Sequence, residues 1–168
     1  VSVPNPPTQF LPKRIKGEIT LKPKFVTSQS FAIDAQGDHR WWPIAPSSDV
    51  VLEMEQGGPS WQGHGYLDSN WGIAPLEQDF ARWDWARGDL ADGETVILYD
   101  TDRADGSTDC LALCIDKTGD IQQCDRPAKR TLGKGLWGVE SFGHHDESIE
   151  PSLTKRLEDG PFYCRSVV

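Results

Sequence analysis

Apolar residues recur along this chain at every second position in short runs, and no segment sustains the three-and-four spacing of an amphipathic helix. Gly17 to Val26 alternates with Ile19 and Leu21 on one face. Further runs rich in β-branched or aromatic residues lie at Arg40 to Ile44, Val50 to Glu55, Gly63 to Trp71, Ala81 to Ala86 and Thr95 to Tyr99. The series continues at Leu111 to Ile115, Gly119 to Gln123, Lys129 to Leu132 and Gly160 to Val167. Each run is bounded by Gly, Pro, Asp or Ser, and each is predicted to be a strand. Turns are expected at Arg87 to Gly93, at Asp102 to Ser107 and at Lys117 to Asp120, where Asp-Gly or Thr-Gly supplies the positive φ that a hairpin demands. The candidate helix is short, Pro75 to Phe80, with a further turn near Ser148 to Leu153. Residues 1–12, VSVPNPPTQFLP, hold four prolines without periodicity and form an extended lead-in or linker ahead of a domain at 13–168. The pattern predicts an all-β sandwich or barrel.

Length and charge narrow the function classes. The 168 residues fit one domain, and no apolar run approaches the ~18 residues of a membrane-spanning helix. A formal charge of −9, spread along the chain, disfavours nucleic acid as a partner. The small basic cluster of Arg126, Lys129, Arg130 and Lys134 is expected to be a solvated loop or edge strand, with contact to anionic lipid as the alternative. Cys110, Cys114, Cys124 and Cys164 lack the paired C-x-x-C of a zinc site and are expected to be free thiols, as in a cytoplasmic protein. His144-His145-Asp146 offers no third metal ligand and is expected to be a loop. The stretch from Val1 has no basic segment followed by an apolar one, so no signal peptide is expected in it, and the start without an initiator methionine is that expected of a processed or excised piece of something longer.

Six of the seven tryptophans fall between Trp41 and Trp85. Core packing accounts for any single one of them. The polar residues beside them carry more information. Alternation along a strand puts His64, Tyr66, Asp68 and Asn70 on one face and Gly65, Leu67, Ser69 and Trp71 on the other. That polar face is either solvated or the lining of a pocket. His39 and Trp41 likewise share a side, with Trp42 opposite, and Trp83 pairs with Trp85. Three strands offering aromatic and titratable groups together point to a closed interior.

The segment GYLDSNWG at 65–72, the following Ile73-Ala74-Pro75-Leu76, the run Trp83-Asp84-Trp85-Ala86-Arg87-Gly88 and the upstream His39-Arg40-Trp41-Trp42 resemble the signature region of carotenoid 1,2-hydratases. The resemblance covers about Lys13 to Tyr163. It implies a lipocalin-like antiparallel β-barrel with little helix, one portion of an enzyme of about twice this length built from two such barrels. The implied reaction is cofactor-free and metal-free hydration of the terminal C1=C2 double bond of an acyclic carotenoid such as neurosporene or lycopene. The implied location is cytoplasmic, on the surface of the inner or photosynthetic membrane.

On this resemblance Asp68 is the acid that protonates the alkene, and Tyr66 orients the acid or the water. Trp41 faces the developing cation, with Trp71 and Trp85 as helpers. His39 polarises or deprotonates the water, and His64 lines the substrate site. Structural readings stand beside these. Asp68 can close an Asx turn, and Tyr66 and His39 can be satisfied hydrogen-bonding residues. An apolar-ligand binding module and a cyclase on the same barrel are the competing functions.

Overall fold

The computed structural model describes residues 16–55 and 58–168, so the Pro-rich lead-in at 1–12 lies outside the described residues. The elements in chain order are β1 (Gly17–Pro23), β2 (Phe31–Ala32), β3 (His39–Met54), β4 (Trp61–Gly72), α1 (Leu76–Asp79), β5 (Phe80–Asp89) and β6 (Thr95–Arg103). They continue with β7 (Thr108–Ile115), β8 (Ile121–Gln123), β9 (Ala128–Lys134), β10 (Glu140–His145), β11 (Lys155–Asp159) and β12 (Cys164–Val167). The all-β expectation holds, and the helix expected at Pro75 to Phe80 is a single turn. No helix among the described residues is long and apolar enough to cross a membrane.

Strand β3 is the spine of the first sheet. It pairs with β1 through 48–54, with β2 at Arg40 and Trp41, and with β4 through most of its length, all antiparallel. Two separate strands, Arg40 to Ile44 and Val50 to Glu55, were expected here, and Pro43 and Pro46 lie in or between them. The chain instead stays extended, and the ladder slips between Trp42 and Ala45 and again between Ala45 and Ser48. Proline donates no ladder hydrogen bond, so these irregularities absorb both residues without ending the strand. A second sheet runs in the order β5-β6-β7-β8, and the hairpins β9–β10 and β11–β12 each pair within themselves. Among the described residues these four sheets do not close into a barrel.

The three expected turns all form, with Gly93, Gly106 and Gly119 at φ of 90°, 85° and 94°. Three strands carry too little periodicity to be read from sequence: β2, β10 and β11. The loop expected at His144 to Asp146 is corrected accordingly. Both histidines lie on β10, where alternation sends His144 Nε2 to Asp100 Oδ2 at 2.8 Å while His145 Nδ1 donates to the Asp146 carbonyl. The four cysteines are free and half-buried. Burial and the neighbouring Asp100 carboxylate push the Cys110 thiol up to about 12.

One core joins the two larger sheets. Trp41 from β3 meets Phe80, Ile97, Tyr99, Leu113 and Ile115 from the β5–β8 sheet, with Ile33 from the loop after β2. Burying such side chains contributes about 1.5–3 kcal/mol each. Arg87 Nε on β5 adds a polar tie by donating to the Pro46 carbonyl on β3 at 2.5 Å.

Two positions test this packing. Gly72 ends β4 against His39, where an added Cβ would meet His39 Nδ1 on a ring already held by Asp79 and Phe80. Gly72→Ala is therefore expected to lower stability by about 1–3 kcal/mol, read from urea unfolding midpoints. Asp100 is buried, and burial alone would raise its carboxyl. Hydrogen bonds from His144, Cys110 and Lys129 outweigh that and hold it well below the usual carboxylate range. Its stabilisation is present above the ordinary carboxylate value near 3.9 and is lost as pH falls through the lower folded value. Unfolding midpoints measured from neutral pH down to about pH 3 are expected to show a shallower acid decline in Asp100→Asn, which starts from lower stability at neutral pH.

Candidate active site

The site forms where one face of β4 lies on one face of the β5–β6 ladder. Directly opposed residues in an antiparallel pair share a face, so Trp85 with Tyr99 and Trp83 with Thr101 project together. Against them β4 presents Tyr66, Asp68 and Asn70. Tyr66 stacks on Trp85 with ring centroids 4.5 Å apart, and the Tyr99 hydroxyl donates to Asn70 Oδ1 at 3.3 Å. Asp68 lies between these two contacts in the strand.

Trp41 reaches the same place from β3. Its Nε1–H donates to Asp68 Oδ2 at 2.7 Å, and its ring is wholly buried, 5.4 Å from Tyr99 and 6.3 Å from Phe31. An indole nitrogen can only donate, so Oδ2 accepts this bond. Oδ1, without a hydrogen-bond partner among the described residues, is the oxygen left to carry a proton. The surrounding phenols stay protonated. Burial and the Asp68 charge push Tyr99 up to about 12, and burial, Asp68 and Tyr163 raise Tyr66 as well.

Two cavities adjoin the neighbours of Asp68 on the same face of β4, Tyr66 and Asn70. The larger, about 410 Å³, is lined by Tyr66, Trp83, Trp85, Phe142, Leu157 and Tyr163, with Asp84, Asp100, Lys129 and His144 on its polar side. Those charges neutralise one another: Lys129 Nζ lies 2.9 Å from both Asp84 and Asp100, and Arg126 lies 3.0 Å from Asp100. The smaller cavity, about 150 Å³, is bounded by Ile33, Leu76, Phe80 and Trp83 together with Asn70, Tyr99 and Thr101. Trp83 borders both.

The residues expected from sequence separate into two groups. Asp68, Tyr66, Trp41 and Trp85 come together. His39 lies two residues from Trp41 on the same face, but it is 2% exposed, its Nε2 is paired with Asp79 Oδ2 at 2.8 Å, and its Nδ1 lies against Gly72. His64 is at the far end of β4, its side chain 67% exposed and its Nδ1 3.3 Å from Asp49. At ~3.3 Å per residue it stands ~13 Å along the strand from Asp68. Trp71 occupies the opposite face of β4, across from Arg40, and is half exposed. Tyr99 and Thr101 had no signal of their own in the sequence, since only the β5–β6 register sets them beside Trp85 and Trp83.

Comparison with known proteins identifies the family. The acyclic carotenoid 1,2-hydratase of Thiocapsa roseopersicina is 37% identical over 162 residues, covering 96% of this chain and 40% of that protein. The acyclic carotenoid 1,2-hydratase of Rubrivivax gelatinosus is 33% identical over 158 residues, 94% of this chain and 39% of its own length. That of Cereibacter sphaeroides is 35% identical over 154 residues, 92% of this chain and 54% of its own length. The chain thus spans between about two-fifths and somewhat over half of the curated relatives it matches. No solved structure matches it. The family model described as carotenoid hydratase CrtC matches residues 3–168, which take in every described strand and the Asp68 site, and the chain belongs to that family.

Proposed function

We propose that this chain carries the acid centre of an enzyme that adds water across the terminal C1=C2 double bond of an acyclic carotenoid, neurosporene or lycopene, giving a tertiary alcohol without a cofactor. An unactivated alkene is a very weak base, so a positioned acid must protonate it before water can attack. Asp68 is that acid. It gives the proton on Oδ1 to C2, and positive charge develops at the tertiary C1.

The observation that carries this reading is the 2.7 Å hydrogen bond from Trp41 Nε1 to Asp68 Oδ2, which fixes the carboxyl and leaves Oδ1 as the oxygen that can hold the proton. Trp41, with its ring packed on Tyr99 and Phe31, acts through its N–H. The π faces left for the polyene are those of Tyr66 and Trp85 along the larger cavity, and Trp83, which borders both cavities, faces the cation, where a cation–π contact contributes ~2 kcal/mol once desolvated. Such a contact strengthens as charge develops, so it lowers the barrier. His39, closed in by Asp79 and Gly72, anchors α1 beside Trp41 and stays outside the reacting shell.

The remaining length of the family's proteins completes the enclosure around these sheets, in a lipocalin-like arrangement with a second such domain. The enzyme draws its substrate from the surface of the inner or photosynthetic membrane, where carotenoids dissolve.

Two substitutions test the assignment, with lycopene or neurosporene dispersed in detergent and the alcohol quantified by chromatography. Asp68→Asn is expected to lower turnover by ~10²–10⁴-fold, the usual contribution of a general acid, and unchanged turnover would remove Asp68 from the mechanism. Trp41→Phe keeps an aromatic ring in the core but frees Oδ2. Its kcat is expected to fall ~10- to 100-fold with KM nearly constant, the size of a hydrogen bond to a charged group.

A further inference from the structure

Protonation is half of a hydration; the other half is a water molecule waiting at C1. His39 does not supply it, since its Nε2 is taken by Asp79 and its Nδ1 is covered by Gly72. The small cavity at Asn70, two residues from Asp68 on the same face of β4, has the right makeup. Its volume of about 150 Å³ exceeds the ~30 Å³ share of one liquid water and leaves room for a branched alkene end. Ile33, Leu76, Phe80 and Trp83 give it apolar walls, and Asn70, Tyr99 and Thr101 supply the polar groups.

Resting on the hydration reading above, we propose that the Tyr99–Asn70 pair holds the water that captures the cation, making Tyr99 and Asn70 positioning residues for the nucleophile. The Tyr99 hydroxyl spends its hydrogen on Asn70 Oδ1, so its oxygen is left to accept one. The Asn70 amide hydrogens have no protein partner among the described residues and can donate. A water between them donates to Tyr99 and accepts from Asn70, keeping one lone pair for C1. Strand geometry aims it correctly: Asn70 is two residues from Asp68 on the same face of β4, and Tyr99 packs on the Trp41 ring whose N–H holds Asp68. Tyr99, pushed up to about 12, keeps its proton, so the pair orients water without deprotonating it.

The atoms balance around Asp68. The alkene π pair takes the Oδ1 proton and forms C2–H, leaving C1 cationic. A water lone pair forms C1–O, and the oxonium returns a proton to the Asp68 carboxylate. The acid is restored, and one water has been added.

The test uses D2O and follows two products of one cation. Capture by water gives the alcohol, whereas loss of a proton from C2 returns alkene carrying deuterium at C2. For Tyr99→Phe, which retains the ring on Trp41, and separately for Asn70→Leu, alcohol formation is expected to fall ~10-fold while the ratio of deuterated alkene to alcohol rises several-fold. Near-ultraviolet circular dichroism checks that each variant keeps its aromatic packing. If alcohol and deuterium uptake fall together at an unchanged ratio, the pair serves Asp68 or the fold and the water site is overturned. Asp68→Asn, losing both products, marks the other boundary. A wild-type protein that forms neither alcohol nor deuterated alkene overturns the hydration reading and the water site with it.

Discussion

The contact on which the rest of this molecule depends is the burial of one tryptophan between two sheets. Trp41 is wholly enclosed, yet it carries an N–H that cannot be buried without an acceptor. Asp68 is the acceptor, which ties the position of β4 to that of β3 by more than their backbone ladder. The ring itself supplies the surface on which Tyr99 packs and so sets how the β5–β8 sheet approaches. A requirement of core formation and a requirement of acid chemistry are met by the same 2.7 Å hydrogen bond.

That economy explains where the polar groups lie. Charges on the far side of the β5–β6 ladder, Asp84 and Asp100 with Lys129, Arg126 and His144, are closed among themselves. Removing a member of such a network exposes the others to an unmet desolvation cost, so it behaves as scaffold. On the near face the polar groups are fewer and less completely partnered: Asp68 with one oxygen engaged, Tyr66 stacked through its ring, Asn70 with its amide hydrogens free of protein partners among the described residues. Groups that have somewhere left to bond are the ones able to meet a guest.

Much of this was legible in the sequence because strand alternation is a local rule. The two faces of GYLDSNWG follow from counting by twos, and contacts of Tyr66 and Asp68 with aromatic partners lie on the face so counted. What alternation cannot supply is register between distant strands. Tyr99 sits in an ordinary apolar run and becomes part of the site only because it opposes Trp85. His39 shows the converse: the face was readable, but its closure by Asp79, forty residues on, was not. Strand β3 shows a third limit: its two runs were readable, but not that the ladder slips around Pro43 and Pro46 and joins them. The strand pattern left a sandwich or a barrel open and the family resemblance implied the barrel, but the described strands stop short of closure.

The aromatic wall of the site stands on β5, which among the described strands pairs with β6 alone and is therefore an edge. Trp83 and Trp85 alternate there with Arg82 and Asp84. An edge rich in tryptophan invites strands from other molecules to add to it, and interspersed charge is the common protection. Attempts to widen the site for bulkier polyenes by replacing Arg82 or Asp84 with apolar residues would strip that protection. Their cost would surface as self-association during expression, long before any change in specificity could be measured.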